Sequence, residues 1–372
     1  MVRAFALFGT YDGDVLFSRS DRTWQLELTR DGRALIEQVH LGTHAPQRTE
    51  YATEDEAIKA HRERVVKLIV EDEWQVASVN DDAAWPVARD LAMEQAILDA
   101  TDDRRERLAV YTDWLIERGD PCGELAALRS RADRDPIAIV EAVAQHEALH
   151  ADALFGPISA LPVSSSPRGL VWHWQDGWIE AFELDGTSAT QLNLALHAPM
   201  ARFVRRLIIR WRFSPAIGPA LAMWPRRGQV RALELQHASQ HAYEILDALP
   251  ALEHVAMPAG SRTGKGHPTV RSLELAVDNE HRRLVGPWPM LRTVRLRAIS
   301  DAPSLDELFL GAQVPEVREL ELSGTRAGVA TLAATLGRHA FTHQLEQLRI
   351  MQPVEEATLA ALARFPDLQV ST

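Results

Sequence analysis

Two histidines four residues apart bracket a glutamate in His146-Glu147-Ala148-Leu149-His150. On one helical face this spacing can bind zinc through both imidazoles and let the glutamate activate a metal-bound water. A hydrolytic site also needs a third ligand. Ala153 and Gly156 stand where the extended motif carries its glycine and third histidine, and Glu180 and Glu183 fall on an expected strand instead of a second helix. A second stretch, Gly260-Ser261-Arg262-Thr263-Gly264-Lys265-Gly266, is similar to a phosphate-binding loop but one residue short between its glycines. Gly266 replaces the Ser or Thr that would hold magnesium, and no helix-forming run follows Pro268. It reads as a turn between strands. The serines of Ser164-Ser165-Ser166-Pro167-Arg168-Gly169 have no paired base and read as a linker. Asp113, Glu117, Asp120 and Glu124 suit helix capping and pairing with Arg118 and Arg129. The expectation is therefore no catalytic residue, no metal ligand and no cofactor, with a zinc hydrolase at His146 and His150 as a remote alternative.

The elements that must position any site are announced by a repeat. An aliphatic residue, two variable positions, then two aliphatics separated by one residue recur seven times: Val204-Leu207-Ile209, Val230-Leu233-Leu235, Leu252-Val255-Met257, Val270-Leu273-Leu275, Leu291-Val294-Leu296, Val317-Leu320-Leu322 and Leu345-Leu348-Ile350. Their central residues are 26, 22, 18, 21, 26 and 28 apart. The pattern resembles a leucine-rich repeat, in which short strands stack over a shared core and leave a concave face open to a partner.

Residues alternating with the buried aliphatics should point to that face. The candidate partner-binding set is Arg206, Ile208, Arg210, Trp211, Arg212, Glu234, Gln236, Glu274, Arg295, Arg297, Glu319, Glu321 and Arg349. Its banding, basic at the first and fifth strands and acidic at the second, fourth and sixth, suits a protein with complementary charges more than a uniform polyanion. Residues 199–233 hold eight arginines and no acid, and Arg210-Trp211-Arg212-Phe213 and Trp224-Pro225-Arg226-Arg227 set aromatics beside them. These residue types are enriched at interface hot spots, and they equally suit a packed first repeat capping the array.

Upstream, Trp24, Leu26 and Leu28 alternate with polar residues, Asp31-Gly32 marks a turn, and 34–41 reads as a second strand with a third near 49–51. Thr53-Glu54-Asp55-Glu56 caps a helix reaching Ile69. Trp24-Gln25-Leu26-Glu27-Leu28, Leu41-Gly42-Thr43 and Thr53-Glu54-Asp55-Glu56-Ala57 resemble a WGR domain, although Gln38-Val39-His40 stands where the name-giving Trp-Gly-Arg would be. The resemblance implies contact with DNA ends. The missing Trp and Arg and the balance of ten basic to fourteen acidic groups in residues 1–75 argue instead for protein docking, with His40 either at a partner or facing solvent.

Residues 93–98, 104–117 and 124–130 have helical periodicity. The stretch Tyr111-Thr112-Asp113-Trp114-Leu115-Ile116-Glu117-Arg118-Gly119-Asp120-Pro121-Cys122-Gly123-Glu124 resembles the bacterial repeat-companion domain that precedes leucine-rich repeats, and Leu154-Phe155-Gly156-Pro157-Ile158 and a strand over 171–184 continue it. That family implies an architecture and no activity.

With 46% hydrophobic and 25% charged residues and a net charge of −12, this is the composition of an ordinary globular protein. No apolar run is long enough for a membrane span, nor does 1–13 read as a leader, so a bacterial cytoplasmic location is expected. A single cysteine, Cys122, excludes an internal disulfide and a cysteine-built zinc site. The expected fold class is a multidomain α+β chain: a WGR-like antiparallel sheet plus helix at 1–76, a linker at 77–88, a helical companion module at 89–185 and an irregular leucine-rich-repeat solenoid at 186–372. The expected function is a non-enzymatic scaffold or adaptor that binds a protein partner, with no membrane and no small-molecule substrate. The alternative is a nucleic-acid-associated factor using the WGR-like domain and the arginine-rich first repeats.

Overall fold

The computed structural model describes the strands of an N-terminal sheet and isolated positions between residues 51 and 64. From residue 89 onward it describes all but stretches at 133–135, 161–169, 187–188, 211–215, 238–240, 262–264, 278–283, 299–303, 337–342 and 353–361 and a few single positions. The chain is mixed α/β and divides into two compact units, residues 1–181 with 187–204, and 182–186 with 205–372.

The first unit begins with β1 (Val15–Arg19), β2 (Arg22–Leu28), β3 (Ala34–His40), β4 (Gln47–Glu50) and β5 (Gln75–Val79). They form an antiparallel sheet in the order β4-β3-β2-β1-β5. Strands β2 to β4 fall where alternation placed them, while β5 runs into the stretch read as a linker. Of the helix expected from Thr53, only Glu56, Ala60 and Arg64 lie within the described residues, and each is helical. His40 closes β3 opposite Thr23.

Helices α1 (Leu91–Asp99), α2 (Arg104–Ile116), α3 (Pro121–Ala132) and α4 (Pro136–Phe155) follow. Asp90 caps α1 by accepting from Ala92 N and Met93 N. Between α2 and α3, Gly119 takes φ +67°, Asp120 Oδ1 accepts from Cys122 N at 2.8 Å, and Pro121 opens the next helix. A Cβ on Gly123 would come within 2.7 Å of Leu115 Cβ, so this glycine lets the two helices approach closely. Capping by Asp120 agrees with the sequence reading, but the arginines do otherwise. Arg118 lies over the Trp114 ring at 3.9 Å, and Arg129 pairs with Glu147.

The run 171–184 is not one strand. Asp176 and Gly177, at φ 51° and 85°, turn it into a hairpin of β6 (Leu170–Gln175) and β7 (Trp178–Leu184), because an Asp-Gly pair supplies the two positive φ values that a tight hairpin turn needs. Further on come α5 (Ala189–Leu196), β8 (Arg206–Ile209), α6 (Ile217–Met223), β9 (Ala232–Leu235), α7 (Ala242–Ala248), β10 (His254–Pro258), β11 (Ser272–Val277), β12 (Gly286–Pro287) and β13 (Thr293–Ala298). The chain then forms α8 (Leu305–Leu308), β14 (Ala312–Gln313), β15 (Glu319–Gly324), α9 (Arg326–Thr335), β16 (Gln347–Ile350) and β17 (Leu368–Val370). A ten-stranded sheet runs β17-β16-β15-β13-β11-β10-β9-β8-β7-β6, parallel wherever β8 to β17 pair. Among the described residues, no helix is long and apolar enough to cross a membrane.

Every aliphatic of the seven motifs is buried, from Val204 at 0% exposure to Leu345 at 6%. The inward rows pair in register, Leu207 with Leu233, Leu273 with Val294, Leu320 with Leu348. Removing one such leucine would cost about 2–5 kcal/mol. Two further copies flank the seven. Phe365-Leu368-Val370 supplies β17, and Arg210 N donates to Leu184 O as Gln236 N does to Ile209 O, which aligns Ile179-Phe182-Leu184 with the first motif.

Candidate functional site: the exposed face of the parallel strands

Register fixes which outward residues become neighbours. One row reads Ile208, Glu234, Ala256, Glu274, Arg295, Glu321, Arg349 and Gln369 across β8 to β17. Glu274, Arg295, Glu321 and Arg349 therefore alternate in sign on four adjacent strands, about 4.8 Å apart. Arg295 Nε lies 3.7 Å from Glu321 Oε2. A flanking row runs from Arg206 through Ala232, His254, Ser272, Thr293 and Glu319 to Gln347, and Thr293 Oγ1 donates to Glu319 Oε2 at 3.1 Å. Arg297 sits in the next row between Ala276 and Ser323, exposed.

At the β8 end the arginines are engaged. Arg206 Nη2 lies 2.6 Å from Glu234 Oε2, and Arg210 Nε lies 2.6 Å from Glu183 Oε1. Desolvation would raise the Glu234 carboxyl, but the hydrogen bonds from Arg206 and Gln236 outweigh it and hold the group below the usual carboxylate range. Ile208 is 7% exposed, which removes it from the candidate contact set. Arg206, two residues before it on β8, pairs with Glu234, the partner of Ile208 in register, so the ion pair lies beside it on that face. Trp224, at 1%, is likewise buried, the packed-repeat outcome for that aromatic. Trp211, Arg212 and Phe213 lie outside the described residues.

Four of the eight arginines at 199–233 meet acids in three dimensions. Arg202 reaches Glu94, Arg206 reaches Glu234, Arg210 reaches Glu183 and Arg231 reaches Glu253, each acid lying well away in sequence. The signal missed in the sequence is columnar. The first variable position of every motif is charged, and so is the face residue of the unread copy, Glu183.

The tempting motifs have other occupations. His146 Nε2 lies 3.0 Å from Pro121 O, so that nitrogen carries its proton toward a carbonyl and offers no lone pair to a metal. Glu147 is ion-paired with Arg129, whose guanidinium lies 3.6 Å above the Trp174 ring. The His150 ring lies tilted by 46° against that of His146, their centroids 4.6 Å apart, where the helix departs from helical φ/ψ. No group of three or more His, Cys, Asp or Glu among the described residues is placed to hold a metal. In the glycine-bracketed loop, Gly266 has φ +83°, and a Cβ there would come within 2.2 Å of Pro287 O. That glycine serves close packing against β12.

No family model matches the chain, and neither does any curated protein. Among solved structures, a protein from Bacteroides fragilis aligns over 96% of this chain and 95% of its own at 11% identity and a TM-score of 0.26, too remote a likeness to bear on fold or function.

Proposed function

We propose that this chain is a non-enzymatic scaffold or adaptor of the bacterial cytoplasm, binding a protein partner through the outward face of its parallel strands. We read that array as an irregular leucine-rich-repeat solenoid, the helices before it as its companion module, and the N-terminal sheet as a WGR-like domain that docks a second protein. The observation that carries the reading is the alternating row Glu274, Arg295, Glu321 and Arg349, set in register on adjacent strands. Such a row attracts a surface with interleaved charges and gives a polyanion no unbroken positive track. Arg206, Arg210 and Arg231, which a nucleic acid would need, already meet glutamates. Glu147, which a zinc hydrolase would need as its base, is held by Arg129.

The test is affinity capture from native lysate, with and without nuclease treatment, comparing wild type with an Arg295→Glu/Arg297→Glu/Arg349→Glu variant. A discrete protein retained by the wild type and lost by the variant is expected. Recovery of nucleic acid alone, or a protein the variant retains fully, would sink the reading.

A further inference from the structure

The charged first variable position of the repeat is arginine in five of the seven motifs and glutamate in the other two, Glu253 and Glu346. Backbone hydrogen bonds stack these positions into a column along one edge of the strands. Arg271 N and Ser272 N donate to Glu253 O, Arg292 N and Thr293 N donate to Arg271 O, and Arg318 N and Glu319 N donate to Arg292 O. Consecutive members therefore stand about one strand spacing apart, roughly 4.8 Å.

The acids do not neutralise this column evenly. Glu253 lies 3.8 Å from Arg231, and Glu346 lies 3.6 Å from Arg318, which also has Glu316 at 3.6 Å. Between these compensated couples stand Arg271 and Arg292, adjacent, exposed, and free of any ion pair among the described residues. Neighbouring like charges oppose the fold, and wherever two guanidiniums approach within the Debye length of about 8 Å salt screens them only in part. No ion pair among the described residues offsets the charge of these two arginines. A bound anion would, because it turns the repulsion into a shared attraction.

We propose that Arg271 and Arg292 form an anion-receiving edge for an acidic segment of a protein partner, whose Asp or Glu carboxylates bridge the two guanidiniums. The inference rests on the reading that the partner is a protein, and it assigns the partner's acidic part to the edge beside the strand face. A peptide fits better than a nucleic acid because Glu253 and Glu346 bound a stretch of only three arginines, of which Arg318 is already paired with acids, whereas a phosphate backbone needs a longer track.

The probe is a labelled hexaglutamate peptide, titrated by fluorescence anisotropy against the full chain at low ionic strength. A hexaglutamine peptide and a short single-stranded oligonucleotide run in parallel. Wild type should bind the glutamate peptide, and Arg271→Gln and Arg292→Gln should each weaken it about tenfold or more, the loss of one charge-assisted contact. Arg326→Gln, at an exposed arginine on α9, should leave binding unchanged. The melting temperature of the two edge variants should hold or rise, since the repulsion is relieved; a fall would make the arginines structural and overturn the inference. So would no peptide binding by the wild type, binding that survives the double variant, or tighter oligonucleotide binding through the same arginines. Partner capture lost in the strand-face variant while the peptide ignores Arg271 sinks the edge alone; the reverse sinks the face alone.

Discussion

Arg202 donates through Nη1 to the Tyr111 hydroxyl at 2.6 Å, and that hydroxyl donates in turn to Glu94 Oε1 at 2.7 Å. The three come from α1, α2 and the segment after α5, and all are buried, with Trp178 and Phe203 packed against the Tyr111 ring. Burial works to raise the Glu94 carboxyl, yet the Arg89 hydrogen bond and the Arg202 charge outweigh it and leave it below its ordinary range. Each group satisfies the next, so removing one strands the others.

Arg202→Met should therefore destabilise the first unit by about 3–5 kcal/mol, since it leaves an acid buried with less compensation. Tyr111→Phe should cost less, about 1–3 kcal/mol. Urea denaturation of the single and double variants measures this. If the two losses simply add, the residues do not act as a network. Because the Glu94 pKa is depressed in the fold, its contribution is present above the ordinary glutamate value of about 4.3 and lost as pH falls through the folded value. Glu94→Gln should flatten that acid limb.

A second acid sensitivity belongs to the other unit. His267 is 3% exposed, its Nε2 lies 3.1 Å from Leu249 O, and desolvation lowers its pKa in spite of its backbone contacts. A depressed histidine binds its proton more readily unfolded than folded, so stability is complete above about 6.5 and declines as pH drops from there toward the folded value. Melting temperatures measured from neutral pH down to five should fall in the wild type and fall less in His267→Gln. Equal slopes in the two proteins would remove His267 as the cause.

Legibility in the sequence followed interaction range. The seven aliphatic motifs were readable because a strand shows its inward residues every second position, and every one of those residues is buried. The flanking copies were not, because Phe365 and Phe182 occupy places where an aliphatic was sought. Trp224 suited a contact surface and a packed repeat equally, and it packs inside; a linear string of charges beside it says nothing about the acids that the fold brings to them. The strand face was legible as bands of sign, but the pairing of Arg295 with Glu321 depends on a register that only the stacked strands set.

The glycine-bracketed loop gives a sharp contrast between two neighbouring residues. Gly266→Ala forces a side chain into a left-handed conformation and against Pro287 O, and should cost at least about 2 kcal/mol. Lys265→Ala, at an exposed position, should change stability by less than about 0.5 kcal/mol. A loop built to hold phosphate would show the opposite emphasis, with Lys265 controlling nucleotide affinity. Thermal melts with and without nucleotide separate the two, and a Lys265-dependent nucleotide shift would restore the phosphate reading.

Arg295 and Glu321 test whether the order of charges on the strand face matters. Their side chains are 48% and 27% exposed, and a pair this wet is worth at most about 1 kcal/mol to the fold. Exchanging them, Arg295→Glu with Glu321→Arg, keeps the net charge and the cross-strand attraction. It converts Glu274, Arg295, Glu321, Arg349 from strict alternation into two like-charged couples, acid beside acid and base beside base. Stability should therefore change by less than about 1 kcal/mol, while affinity for the captured partner should drop by about tenfold or more. A partner that binds the exchanged protein as tightly as the wild type would mean that it does not read this row.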